Sequence, residues 1–334
     1  MPELLLARLR HARAALTLLT LLTLATATTY AAEPTWKPTK AVDLVAINAS
    51  GGGSDRILRL MVKVFQEQRA MEVPVNVVNK PGGGGAVAYA YIAQQNDGHS
   101  LVLANKSMLT NHIVGRGPSY TEFTPVVNLF GEYICVTVRP DSPFKTGADV
   151  VAALKKDVGS LALGIATSIG NPNHQGLAAA LGAAGVDIKK TRNVIFPSGG
   201  AATTALMGGH VDVAPVTAAF AASLVRNAQV RVVAVAAPQR LGGVLASVPT
   251  WREQGYDAVV SNWRTFLGSK QLSPAQVAYW ERVFRRLTES EEWKKELEEN
   301  FWLSDFLTSA EARKQMDRDD ARLRVFLKEW ALTK

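Results

Sequence analysis

Residues 42–59 read VDLVAINASGGGSDRILR. Val42, Leu44, Val45 and Ile47 make a short apolar run of strand character, and Gly51, Gly52 and Gly53 make a turn that only small residues tolerate. Ser54 or Asp55 is placed to cap a helix beginning at Arg56. A strand, a bare loop and a helix start present unpaired backbone N–H groups at the positive end of a helix dipole. Such a seat suits a carboxylate or a phosphate.

The unit recurs. Val75–Val78 is a second apolar run, followed by Asn79-Lys80-Pro81, the glycines Gly82 to Gly85 and a helical stretch from Ala86 to Gln95. Leu101–Ala104 is a third strand, ending in Asn105-Lys106-Ser107. Strands alternating with helices predict a parallel sheet with its loops gathered at the carboxyl edge, so both glycine loops are expected to face one crevice. From about Phe130 the pattern restarts, with strands expected at Ile134–Val138, Leu161–Ala166, Val194–Phe196, Val211–Ala214 and Val230–Ala236. Helices are expected at Gly147–Lys156, His174–Leu181 and Ala201–Met207. Two further small-residue loops follow strands here, at Thr167-Ser168-Ile169-Gly170-Asn171 and Pro197-Ser198-Gly199-Gly200.

The last hundred residues carry Trp251, Trp263, Trp280, Trp293, Trp302 and Trp330. Ser273-Pro274-Ala275-Gln276 reads as a capping box opening a helix to about Thr288, and Thr308-Ser309-Ala310-Glu311 as a second box. Met316, Leu323, Phe326, Leu327 and Trp330 then share one apolar face of a terminal helix whose charges read as a solvated face.

At 334 residues, 47% apolar and 20% charged, the chain has room for two cores. Arg8, Arg10, His11 and Arg13 precede a Leu/Ala/Thr run from Ala14 to Leu24, with small residues after it. This predicts a signal peptide over residues 1–31, cleaved between Ala31 and Ala32, and a soluble exported product. The run is too short for a membrane span, which needs about 20 apolar residues. Removing the leader changes the formal charge from +8 to 34 basic minus 28 acidic residues, or +6. The basic residues are scattered, with no stripe interleaved with aromatics, which argues against a nucleic-acid partner. Cys135 sits inside the apolar run Ile134–Val138 and is expected to be a buried, unreactive thiol. His99, His112, His174 and His210 lack metal-site spacing, and no phosphate loop ends in Gly-Lys-Ser/Thr, so no metal and no cofactor is expected.

Two catalytic patterns compete with simple binding. Gly83-Gly84-Gly85-Ala86-Val87-Ala88 matches a relaxed dinucleotide fingerprint, but the next strand ends in Asn105 and Lys106 where an acid should meet the ribose. Lys106 could instead meet a 2'-phosphate. Ala166-Thr167-Ser168-Ile169-Gly170 resembles a nucleophile elbow, with Asp187 or Asp212 and His210 in the right order for a serine hydrolase. Asn171-Pro172 breaks the tight turn that an elbow needs. Loops of Gly, Ser, Thr and Asn offer many neutral donors and few catalytic groups, which describes a receptor rather than an enzyme.

Gly51-Gly52-Gly53-Ser54-Asp55 with Arg59, and Asn79-Lys80-Pro81-Gly82-Gly83-Gly84-Gly85 followed by Asp97-Gly98-His99-Ser100-Leu101, resemble the two signatures of a known family. Ser198-Gly199-Gly200-Ala201-Ala202, Gly209-His210-Val211-Asp212, Val248-Pro249-Thr250 and Trp263 extend the match. From about Val42 to the C-terminus the chain resembles the periplasmic substrate-binding proteins of tripartite tricarboxylate transporters, the Bug or TctC-like receptors. The resemblance implies an α/β, two-lobed, type II-like periplasmic binding protein fold with the ligand cleft between lobes and C-terminal helices. Lobe 1 would comprise residues 32–130 and 262–334 and lobe 2 residues 131–261, with crossovers near Phe130 and Asn262.

The site expected from loops and resemblance together comprises Asn48, Ser50, Gly51, Gly52, Gly53, Ser54, Asp55, Gly83, Gly84, Gly85 and Ser107 on the first lobe. The second lobe would supply Thr167, Ser168, Ser198, Gly199, Gly200 and Asp212. Asp55 is expected to cap its helix and shape the loop, or to bond an amino or hydroxyl group of the ligand. The implied function is capture of a small carboxylate by a monomer and its delivery to a membrane permease, with a ligand-presenting receptor for a membrane sensor as the variant. An exported serine hydrolase using Ser168 is the rival. Asn48-Ala49-Ser50 replaces the family's aromatic residue and proline, and Thr265 and Ser269 replace a usual glycine and proline.

Overall fold

The computed structural model describes residues 36–166 and 168–329. The expected signal peptide, Thr167 and Trp330 lie outside them.

The opening strand–loop–helix unit and its repeat form β1 (Val42–Ala46), α1 (Gly53–Glu67), β2 (Val75–Asn79), α2 (Ala86–Ala93), β3 (Ser100–Asn105) and α3 (Ser107–Ile113). The sixteen-residue β4 (Phe123–Val138) follows. The second half of the pattern gives α4 (Gly147–Lys156), β5 (Ala162–Ala166), α5 (Pro172–Ala183), β6 (Arg192–Phe196), α6 (Gly199–Met207), β7 (Ala214–Thr217), α7 (Ala218–Arg226) and β8 (Arg231–Val235). The chain closes with β9 (Ser261–Ser269), α8 (Pro274–Glu289), α9 (Glu291–Glu299), β10 (Trp302–Leu307) and α10 (Ser309–Glu329).

β1 pairs in parallel with both β2 and β3, so the loops after these strands share one edge, as the alternation requires. The sheet runs β10-β4-β9-β3-β1-β2. β4 carries the fold from one lobe to the other. Phe123 to Tyr133 pair antiparallel with β9, whereas Ile134 to Val138 pair with β7 and β8. Phe123, Val127, Phe130, Ile134, Val136 and Val138 are all buried, the near-continuous apolar run of a strand covered on both faces. Cys135 is fully buried within it, and burial pushes its thiol up to about 12, which keeps it inert.

One core gathers Tyr89, Leu109, Trp263, Met316 and Leu323, and another gathers Ile134, Val151, Leu177, Leu181 and Trp251. Trp251, Trp280 and Trp302 are structural. Trp251 Nε1 donates to the Gly176 carbonyl and Trp280 Nε1 to that of Gly98, both at 3.0 Å. Trp302 stacks on Phe130 with centroids 4.3 Å apart. The capping box at Ser273 forms in both directions. At Thr308 the Glu311 carboxylate accepts from both the backbone N–H and the hydroxyl.

Two local expectations are corrected. α1 starts at Gly53 rather than Arg56, its N-cap is Gly52, and no side chain caps it. Asp55 lies in the first turn because its Oδ2 reaches back to the Gly51 N–H at 2.8 Å. The strand expected at Val211–Ala214 begins instead at Ala214. Residues 211–213 are held against β5, with Val213 bridging Leu163 and Asp212 Oδ2 accepting from the Ala162 N–H at 2.8 Å. α7, α9 and β10 carry no loop or capping pattern used above, and sequence reasoning passed over them.

Candidate functional site

β1 ends into Ile47, Asn48 and Ala49, which form one wall of a cavity of about 840 Å³. Pro81 to Gly84 and the β3–α3 corner at Asn105 and Ser107 line it from the same sheet edge, and Ser168 and Asn171 line it from the β5–α5 turn. The second glycine loop and the root of the first, residues 47–49, open on one crevice, whereas none of Gly51, Gly52 and Gly53 lines it and Gly53 faces a different cavity. The crevice's volume lies in the usual range of small-ligand sites.

The β1–α1 loop is organised by Asp55. Its carboxylate accepts from the Gly51 N–H at 2.8 Å, Asn79 Nδ2 at 2.9 Å, Arg59 Nε at 3.0 Å and Arg59 Nη2 at 2.9 Å. It is 1% exposed, and these donors, Arg59 foremost, hold its carboxyl down to about 2. Asn79 Nδ2 also donates to the Asn48 carbonyl at 3.0 Å, and Asn48 Oδ1 accepts from the N–H and hydroxyl of Ser54. Asp55 and Ser54 therefore shape the loop that carries Asn48. Of the loop residues, Asn48 lines the cavity; Ser50, Gly51, Gly52, Ser54 and Asp55 do not.

In the second loop Gly82, Gly83, Gly84 and Gly85 all have positive φ, from 55° to 133°, a path that L side chains rarely follow. A Cβ on Gly84 would collide with the Asn111 amide, whose Nδ2 donates to the Gly84 carbonyl at 3.2 Å. Gly85 turns inward against Tyr89 and does not line the cavity. Lys106, considered above for a 2'-phosphate, is buried and pairs with Asp319 on α10 at 3.5 Å. Asp319 also accepts from Trp263 Nε1 at 2.9 Å, so this corner is pinned to the terminal helix.

On the opposite wall Asn171 is the N-cap of α5, its Oδ1 accepting from the His174 N–H at 2.9 Å. The Gly170 N–H donates to His174 Nδ1 at 2.9 Å, and burial pushes this imidazole down to about 3, so it is neutral. The Gly170 carbonyl accepts from Gln175 Nε2 at 2.7 Å and, across the cleft, from Thr110 Oγ1 at 3.4 Å.

Ser198, Gly199 and Gly200 open α6, with Ser198 Oγ accepting from the Ala201 N–H at 3.1 Å. Gly199 lies close to Asn173, and none of the three lines the cavity. Asp212 is elsewhere. Its partner Ala162 begins β5, whereas Ser168 follows that strand's other end, so the length of a five-residue strand, about 13 Å, lies between them. His210 follows α6 and is exposed, at the end of that helix opposite Ser198. Asp187, the other candidate acid, caps the short turn Ile188–Lys190 and pairs with Lys190 at 3.2 Å, so among the described residues no hydrogen bond joins Asp187, Asp212 or His210 to Ser168.

A second cavity, of about 440 Å³, lies on the other side of the β1–α1 loop. Gly53, Arg56, Thr217, Phe220 and the crossover pair Glu132 and Arg264 line it, and Arg264 Nη2 bonds Glu132 Oε2 at 2.6 Å.

The family described as "Tripartite tricarboxylate transporter family receptor" matches residues 57–325. The chain belongs to this family. It is 28% identical over 247 residues to the "UPF0065 protein in the TAR-I ttuE-ttuC' intergenic region" of Agrobacterium vitis, covering 72% of this chain and 68% of that protein. Among solved structures, an R. palustris protein with adipate superposes with TM-score 0.75 at 21% identity, covering 88% of this chain and 98% of that one. MatC of Rhodopseudomonas palustris with bound malate superposes with TM-score 0.69 at 22% identity, covering 86% and 99%. These likenesses show the two-lobed fold.

In this member of the tripartite tricarboxylate receptor family, motif reading missed Asn105, Thr110, Asn111, Arg116 and Asn171, all of which line the larger cavity. Asn105 and Asn171 end strand-following loops and were legible as such. Thr110 and Asn111 reach the cavity through α3, a seven-residue helix with no periodic signal of its own. Arg116 stands in Gly115-Arg116-Gly117-Pro118, a cation set among small residues, which was a usable signal.

Proposed function

We propose that the chain is an extracytoplasmic receptor that captures a small carboxylate between its lobes and delivers it to the membrane permease of a tripartite tricarboxylate-type transporter. One observation carries this reading: Asn48 at the root of the first glycine loop, Gly82 to Gly84 of the second and the Ser168–Asn171 turn open on the same cavity, and its described lining contains no acidic residue. An anion there meets backbone N–H groups and neutral side-chain donors, which hold carboxylates without a paired cation. Relatives of the same fold have been solved with malate and with adipate.

An open form receives the carboxylate at Asn48 and the second glycine loop, and donors at Ser168 and Asn171 complete the shell when the lobes close. Contacts available only in the closed state shift the population toward it, and that state is the form presented to the permease. The leader over residues 1–31 routes the chain to the periplasm, where it acts without catalysis.

Calorimetric titration of residues 32–334, unfolded and refolded to remove any carried ligand, tests the reading. The panel comprises mono-, di- and tricarboxylates, aromatic acids and a chromogenic ester. Saturable binding of one carboxylate class, with the ligand recovered unchanged, is expected. Ester turnover without carboxylate binding would replace the receptor with a hydrolase.

A further inference from the structure

We propose that Arg116 reads a second anionic group on the ligand, so that this receptor selects dicarboxylates over monocarboxylates of the same length. The inference rests on the larger cavity being the ligand site.

Among the described residues that line this cavity, Arg116 is the one charged side chain. The remaining polar groups, Asn48, Asn105, Ser107, Ser168 and Asn171 among them, are neutral. They serve a first carboxylate but give no strong reason for a second one to leave water. A lone guanidinium on the wall changes that, because it offers a planar pair of donors matched to a carboxylate.

The backbone places this arginine firmly while leaving its side chain available. α3 ends in a left-handed glycine turn: Gly115 has φ 74°, its N–H donates to the His112 carbonyl at 2.9 Å, and the Arg116 N–H donates to the Asn111 carbonyl at 2.7 Å. The second bond ties Arg116 to Asn111, which itself bonds Gly84. The guanidinium therefore stands on a frame shared with the second glycine loop. The side chain is exposed, and no acidic residue lies among the described residues of that wall to neutralise it. A cation held on the rim of a neutral cavity favours the dianion in both encounter and closure.

The test compares affinities for matched pairs, adipate with hexanoate and succinate with butyrate, in the wild type, Arg116→Gln and Arg116→Lys. The expected result is a dicarboxylate preference in the wild type that falls about tenfold in Arg116→Gln and is only partly kept in Arg116→Lys, which retains the charge without the planar fork. Unliganded melting temperatures of all three proteins establish that the fold is intact, as an exposed side chain leads us to expect. A di-to-mono ratio unchanged by Arg116→Gln overturns the inference while leaving the receptor reading intact. Failure of every carboxylate to bind the wild type overturns both.

Discussion

Thr110 Oγ1 donates to the carbonyl of Gly170 at 3.4 Å, joining the helix after β3 to the turn after β5 beside the larger cavity. Gln175 Nε2 bonds the same carbonyl at 2.7 Å and lies 3.5 Å from Thr110 Oγ1. This small buried polar group is where the two walls of the cleft touch.

The two bonds to Gly170 differ in strength, and their removal should differ in cost. Gln175→Leu leaves a buried carbonyl with one long hydrogen bond and is expected to destabilise the protein by about 1–2 kcal/mol. Thr110→Val loses two long bonds, to the Gly170 carbonyl at 3.4 Å and from Gln175 Nε2 at 3.5 Å, but leaves the short Gln175–Gly170 bond and should cost less, about 0.5 kcal/mol. Urea unfolding of both variants checks the ordering; equal costs would mean that the Thr110 contact matters more than its length indicates.

Asp55 should make stability pH-dependent in acid. Its carboxyl is held at about 2 against an ordinary value of 3.8, so the folded state favours the charged form. The contribution is therefore fully present above about pH 4 and is lost as the pH falls through 2, and it amounts to about 2 kcal/mol. Asp55→Asn removes an acceptor of four hydrogen bonds and should be less stable at pH 7, with a flatter stability curve between pH 5 and about pH 2. Unfolding measured across that window in both proteins decides the point.

Gly84 and Gly53 should respond oppositely to alanine. At Gly84 φ is 64° and a Cβ meets Asn111, so Gly84→Ala is expected to cost about 1–2 kcal/mol and to weaken carboxylate binding. Gly53 begins α1 and has nothing within 4 Å of a built Cβ, so Gly53→Ala should be neutral or slightly stabilising. Thermal unfolding and ligand titration of the pair separate a conformational requirement from mere sequence motif.

Lys106 and Asp319 form a largely enclosed pair, with side chains 10% and 16% exposed. Lys106→Met leaves Asp319 without its cation and should destabilise by about 3 kcal/mol, whereas adding Asp319→Asn should recover part of that loss. A double-mutant cycle by denaturant unfolding measures the coupling. Additive effects would mean that the pair contributes nothing beyond its separate members.

The features legible in the sequence were those with a local backbone cause. Gly82 to Gly85 all need positive φ, and Ser273 to Gln276 satisfy a helix end within four residues, so composition alone exposes both. The parallel order of β1, β2 and β3 followed from alternation. Features made by distant partners were hidden. Thr110 meets Gly170 across sixty residues, and Asp212 is drawn to Ala162 across fifty, away from the cleft in which the resemblance had put it. Asp55 looked like a cap because it stands at a helix start. Its real partners, Asn79 and the loop N–H of Gly51, depend on how β1 and β2 lie side by side.

The most direct test of the central claim is amide hydrogen exchange of the refolded protein with and without the best-binding carboxylate. The account predicts added protection together at residues 82–85, 105–111 and 168–171, the three segments that face the larger cavity. Protection confined to residues 53–57 and 217–223, around Arg56, Thr217 and Phe220, would place the ligand in the smaller cavity and contradict it.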